Sequence, residues 1–412
     1  MDDLNDIPKR YLSAPTGDSR FQERTIRKRM NRKEAVCKVF KNGLTVLMLC
    51  IAGSLLFSCS SSDDTPVPVS KVLLVYLGGD NNLSGESKDK FDAIRQGYDG
   101  RPGTKILVYI DARNEVPQLW ELSGKSTAWL VRQCEEENSA DAAVLRRVIT
   151  EAKAIYPQAV FNLLVFSHAS GWLPPNALTR PKSAAETRSV IIDGNDGMEL
   201  ADFAAAIPDH CFKHIVFETC FMAGVEVAYQ LRDKAEYILA SSAETVSPGF
   251  SDVYREHINE LVHGDPQKFM QAAFDYFDSK DGYMRSATLS VIKTDALGDL
   301  AGYIRNNCDP AKETDLTEMQ YFDRSSYRLF ADFGDYYLRL PETKEQKETL
   351  SGLISACVPW KVATPSFMEG YNGFTIRNHS GLTAYIMQER YPELNETYKK
   401  LDWYKAITTG EE

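Results

Sequence analysis

The chain has 412 residues, of which 43% are apolar and 25% charged, and its formal net charge is −11. Such a composition supplies a large buried core and excludes disorder of the whole chain. The first 58 residues hold 11 basic against 6 acidic side chains, so the remainder is strongly acidic, about −16, and nucleic acid is excluded as a partner because its binding rests on cationic side chains that release counterions.

The only long apolar run, Leu44 to Phe57, has 14 residues: short for a bilayer span but suited to the core of a secretory signal. Arg32, Lys33, Lys38 and Lys41 precede it. Leu56-Phe57-Ser58-Cys59 resembles the lipobox of bacterial lipoproteins, in which the cysteine is acylated, and Ser60 to Pro66 reads as a polar tether. The expected organisation is a signal region over 1–58, with Met30 as a second candidate start, then a lipidated Cys59 and tether over 59–70. The expected location is the cell envelope, on a membrane through a lipid anchor, with the outer membrane favoured. Five cysteines remain beyond Cys59, an odd number that leaves at least one thiol unpaired whatever the redox state, and no C-x-x-C pair is present.

From Lys71 onward, short apolar runs alternate with amphipathic stretches, the pattern of an α/β protein with a mostly parallel sheet. Strands are predicted over Val72 to Leu77, Lys105 to Ile110, Phe161 to Ser167, His214 to Glu218 and Tyr237 to Ser241. Helices are predicted over Asp141 to Ile155 and Met222 to Lys234. Residues 71–255 read as the core. Residues 256–412 read as an extension packed on the same fold, with helices over Pro266 to Asp278 and Thr343 to Cys357 and candidate strands at Ala287 to Ile292 and Gly373 to Ile376.

Two predicted strands end in reactive residues, His168 and Cys220. Parallel sheets gather ligands at their carboxyl ends, so adjacent strands would bring the pair together. A thiol at the start of the predicted Met222 helix would gain thiolate character from the helix dipole. H-E-x-x-H, G-x-S-x-G and P-loop signatures are absent. Asp193-Gly194-Asn195-Asp196-Gly197 lacks the full calcium-loop pattern and reads as a β-turn. His210 and His214 read as structural, so no metal site is expected.

Three blocks, Tyr76 to Leu83, Phe166 to Trp172 and Phe217 to Ala223, together resemble the hallmark segments of the clostripain family of cysteine peptidases. Ala240 to Glu244 with Pro248-Gly249, and Tyr371 to Ile376, are similar to further blocks, and the resemblance runs from Lys71 nearly to the C-terminus. It implies a caspase-like three-layer α/β/α sandwich and endopeptidase activity on protein or peptide substrates after Arg or Lys, with Cys220 as nucleophile and His168 as its proton-transfer partner. The oxyanion would be held by the backbone N–H groups of Ala169 and Cys220. A cationic side chain of the substrate needs a carboxylate, for which Glu218 is the first candidate and Glu244 and Asp252 follow. Family members can mature by self-cleavage in a loop after the histidine, and in the matching loop Lys182 and Arg188 are the candidate sites. No cofactor is required, although calcium is compatible with the pattern. Ala169 and Glu218 replace the family's usual Gly and Asp, which keeps open a peptidase of other specificity and a non-catalytic binding lipoprotein.

Overall fold

The computed structural model describes residues 67–174, 190–309 and 314–409. Residues Thr65–Glu412 form one compact unit. Cys59, Lys182 and Arg188 lie outside the described residues, as does the signal region.

The strands are β1 (Lys71–Gly79), β2 (Thr104–Ala112), β3 (Gln118–Gly124), β4 (Thr127–Gln133), β5 (Val160–Phe166), β6 (Ile191–Asp193), β7 (Asp196–Met198), β8 (Phe212–Glu218), β9 (Ala235–Ser241), β10 (Thr288–Lys293), β11 (Ala331–Asp332), β12 (Trp360–Ala363), β13 (Ser366–Phe367), β14 (Phe374–Thr375) and β15 (Thr383–Ala384). Nine of them form one sheet in the order β12-β10-β9-β8-β5-β1-β2-β3-β4. β9, β8, β5, β1 and β2 run parallel, and antiparallel pairs flank them on both sides. β1 is apolar from Val72 to Leu77 and buried from Val72 onward. Because successive side chains point to opposite faces, that continuous burial requires cover on both sides of the sheet.

The cover comes from α1 (Ser84–Gly97), α2 (Ala142–Ile155), α3 (Leu200–Ala206), α4 (Val225–Gln230), α5 (Ser251–His263), α6 (Pro266–Asp278), α7 (Leu297–Asn307), α8 (Phe333–Tyr337), α9 (Lys344–Cys357), α10 (Pro392–Tyr398) and α11 (Asp402–Thr408). α1, α5 and α6 pack together as one layer, and α2, α3, α4, α11, α7 and α9 form the other. The result is a three-layer α/β/α sandwich. α2 follows its sequence cues: the Asp141 side chain accepts from the Ala143 N–H at 2.8 Å, and Val144, Leu145, Val148, Ile149 and Ala152 form its buried face.

Residues beyond 256 contribute β10 and β12 to the main sheet. The expected Gly373 to Ile376 strand is only the two-residue β14, which pairs with β13 outside that sheet. No disulfide joins Cys134, Cys211, Cys220, Cys308 and Cys357. The Asp193 to Gly197 segment is the tip of the β6–β7 hairpin, and buried His214 bonds to Asn162 at 3.0 Å. Exposed His210 sits at φ 52° on the approach to β8.

Candidate active site

The parallel register aligns Phe166 of β5 with Glu218 of β8, so the two strands finish side by side. His168 and Cys220, each two residues further on, therefore leave the same edge of the sheet. Asn82 follows β1 and Glu244 follows β9 in the same way. Four neighbouring strands, β1, β5, β8 and β9, thus each place one polar side chain in a single cleft of about 640 Å³, which Arg324 and Phe330 help to line.

His168 Nε2 lies 2.6 Å from Asn82 Oδ1. With the amide oxygen accepting, Nε2 carries the hydrogen and Nδ1 is the basic nitrogen. The turn after His168 is anchored by Trp172, buried against the rings of Tyr385 and Tyr398 at 5.1 and 5.3 Å. Its left-handed residue is Gly171, at φ 65°, whereas Ala169 stays outside that region. A side chain at 171 would meet the Phe221 carbonyl oxygen at 2.7 Å, so this glycine lets the histidine turn lie directly on the cysteine turn.

Half-buried Cys220 accepts a hydrogen bond at Sγ from the Thr245 N–H at 3.4 Å. Burial pushes its thiol up to about 12; the Thr245 bond opposes this, the Glu244 carboxylate adds to it and the Arg324 guanidinium opposes it. The expected helix-start thiolate is not found. α4 begins only at Val225, because residues 220–224 form turns whose groups bond outward: Phe221 N–H to Ala243 O at 3.0 Å and Ala223 N–H to Ser241 O at 3.0 Å. Phe221 itself sits at φ 62° and stacks on Phe330 at 4.4 Å. The N–H groups of Cys220 and Ala169, both in the cleft lining, bond to no other group among the described residues. They remain available to an oxyanion.

The three candidate carboxylates separate clearly. Glu218 is not in the cleft: its side chain is fully buried, paired with Lys90 at 2.7 Å, and it accepts from the Phe250 N–H and the Tyr254 hydroxyl. Lys90 also donates to Pro248 O at 2.8 Å and lies over the Phe166 ring. This buried pair ties α1 to the ends of β5 and β8, which corrects the first-ranked expectation. Asp252 is also displaced, since it is exposed on α5 and bonds to Arg255 and Tyr276. Glu244 alone lines the cleft, where Arg324 grips it through two bonds of 2.6 and 2.9 Å.

Sequence reasoning missed Asn82 and Arg324. Asn82 had a usable signal, because the polar turn after β1 stands at the same sheet edge as the two strand ends that were singled out. Arg324 had none, since it reaches the cleft from a loop remote in sequence.

A cysteine and a histidine at adjacent parallel strand ends, with unengaged backbone N–H groups beside them, are the groups that a thiol-dependent acyl transfer requires. The clostripain family model matches residues 75–405, and the chain belongs to that family of cysteine peptidases. Clostripain from Hathewaya histolytica is 23% identical over 216 residues, 43% of this chain and 40% of that protein, so the chain spans about two fifths of the length of that relative. Among solved structures, an inactive zymogen C11 protease from Parabacteroides distasonis is 29% identical with a TM-score of 0.73, covering 83% of this chain and 99% of that one. A secreted C11 cysteine protease from Bacteroides thetaiotaomicron, in complex with an irreversible peptide inhibitor, shares the fold at 23% identity and TM-score 0.70, covering 83% and 99%.

Proposed function

We propose that this chain is a cysteine endopeptidase that cleaves after Arg or Lys, with Cys220 as nucleophile, His168 as base and Glu244 as the carboxylate that receives the substrate's cation. The carrying observation is that these three side chains leave neighbouring strands of one sheet into one cleft. A thiol held near 12 is protonated at neutral pH, so attack requires His168 Nδ1 to take the proton as the bond to the scissile carbonyl forms. The Cys220 and Ala169 N–H groups then hold the oxyanion, and His168 returns the proton to the leaving amine. Water next attacks the acyl-enzyme with the same histidine as base. No cofactor enters any step.

The test is hydrolysis of fluorogenic peptides ending in Arg, Lys, Gln or Glu by the full chain and by Cys220→Ala. Cleavage confined to Arg and Lys peptides, and lost in the variant, is the expected result. The same comparison reads maturation: self-cleavage after Lys182 or Arg188 leaves two fragments in the wild-type chain and an intact Cys220→Ala chain. Turnover of non-basic peptides would remove the assigned specificity, and absence of turnover with every peptide would leave a binding protein on the same fold.

The Leu56 to Cys59 motif supports acylation of Cys59 and an envelope location on a membrane face. No helix among the described residues is long and apolar enough to cross a membrane. Metabolic labelling with a fatty-acid analogue should mark the chain, and Cys59→Ala should abolish the label; a label that persists would place the acyl group elsewhere.

A further inference from the structure

We propose that Arg324 is a specificity-determining residue, an internal guanidinium that occupies Glu244 and that the substrate's own cation must displace. The inference rests on the reading of Glu244 given above. The two-bond contact is the fork-to-fork geometry by which a guanidinium and a carboxylate recognise each other, so Arg324 makes the interaction that a substrate arginine would make. Its placement is built into the fold. The Asp323 carboxylate accepts from the N–H groups of Arg328, Leu329 and Phe330 at 2.9, 3.1 and 3.2 Å, which fixes the loop backbone around it. Arg324 Nη1 also donates to Tyr371 O at 3.3 Å, and Asn372 Nδ2 donates to Arg324 O at 3.3 Å.

The side chains of the pair are 23% and 28% exposed, so solvent reaches the guanidinium and can hydrate it as it leaves Glu244. While it stays, the carboxylate is neutralised and an incoming cation finds it engaged; the apparent affinity falls by the fraction of molecules in which Glu244 is open. The exchange also conserves charge beside the nucleophile. Glu244 and Arg324 act on the Cys220 thiol in opposite senses, and a substrate cation bound to Glu244 restores the balance that departure of Arg324 upsets. A neutral side chain restores nothing and does not compete for Glu244, so Arg324 tempers the binding of Arg and Lys peptides alone.

Arg324→Ala and, as a variant of similar size, Arg324→Gln are compared with the full wild-type chain on peptides ending in Arg, Lys or Gln. KM for the Arg and Lys peptides should fall roughly two- to fivefold in both variants with kcat held, the scale of a partly exposed ion pair, while the Gln peptide shows no such gain. In the Cys220→Ala background, calorimetric binding of argininamide should tighten by the same factor, a readout independent of turnover. An unchanged or raised KM for basic peptides, with preference for them still lost in Glu244→Gln, would overturn the role of Arg324 and leave the reading of Glu244 intact. Preference for basic peptides that is the same in Glu244→Gln as in the wild-type chain would overturn that reading itself.

Discussion

Asn82 meets His168 through a 2.6 Å contact that fixes the ring's tautomer and rotation. Its removal should therefore cost turnover rather than binding. Asn82→Ala is expected to lower kcat roughly ten- to hundredfold with KM and melting temperature little changed, the scale set by misplacement of a reacting group. Asn82→Asp should recover part of the rate and move the acid limb of the pH profile upward, because a carboxylate beside imidazole favours its protonated form; an unshifted profile would deny contact during catalysis. At this scale the sequence placed His168 and Cys220 at one sheet edge, since each follows an apolar run that reads as a strand. It misled at Glu218. Its match to the family's usual Asp suggested the pocket, yet Glu218 is the last residue of β8 and turns inward to Lys90, whereas Glu244 reaches the cleft from the loop after β9.

Strands with continuous apolar runs were legible because burial on both faces selects mostly apolar residues, and β1, β2, β5, β8 and β9 all fall where those runs place them. α6 and α9 were legible from their starts: Pro266 in the first turn, and the Thr343–Gln346 capping box. The β3–β4 hairpin escaped notice because β4 is largely exposed, with Trp129 at 62%, so no alternation of apolar and polar marks it. The predicted Met222 helix begins only at Val225, for a tertiary reason. Helix propensity over 222–224 is outweighed by bonds that this stretch makes to its neighbours, including the Thr383 N–H to Ala223 O at 2.9 Å. That bond and Gly171 hold the Cys220 turn from two sides, so its shape is a property of packing rather than of local sequence.

For the molecule as a whole, the C-terminal segment at Thr383 to Tyr385 is docked through Glu226, whose Oε1 accepts the Tyr385 N–H at 2.7 Å. Burial pushes the Glu226 carboxyl up to about 7, with the Tyr385 bond opposing. Its folded-state value is raised, so its contribution to stability is fully present below the ordinary glutamate range and is lost as pH rises through about 7. Between pH 5 and pH 8 the wild-type chain should therefore lose on the order of 2 to 3 kcal/mol that Glu226→Gln does not, seen as diverging thermal unfolding curves; parallel curves would contradict the shift. The strand order carries a larger consequence. β4-β3-β2-β1-β5 all precede residue 175, β8-β9-β10-β12 all follow residue 189, and the two halves meet at the β5–β8 seam with His168 on one bank and Cys220 on the other. A chain cut between those limits would be a heterodimer whose His168 and Cys220 face each other across the subunit interface. Its activity would then depend on concentration once the halves could part, and a half from one molecule could complement the opposite half of another.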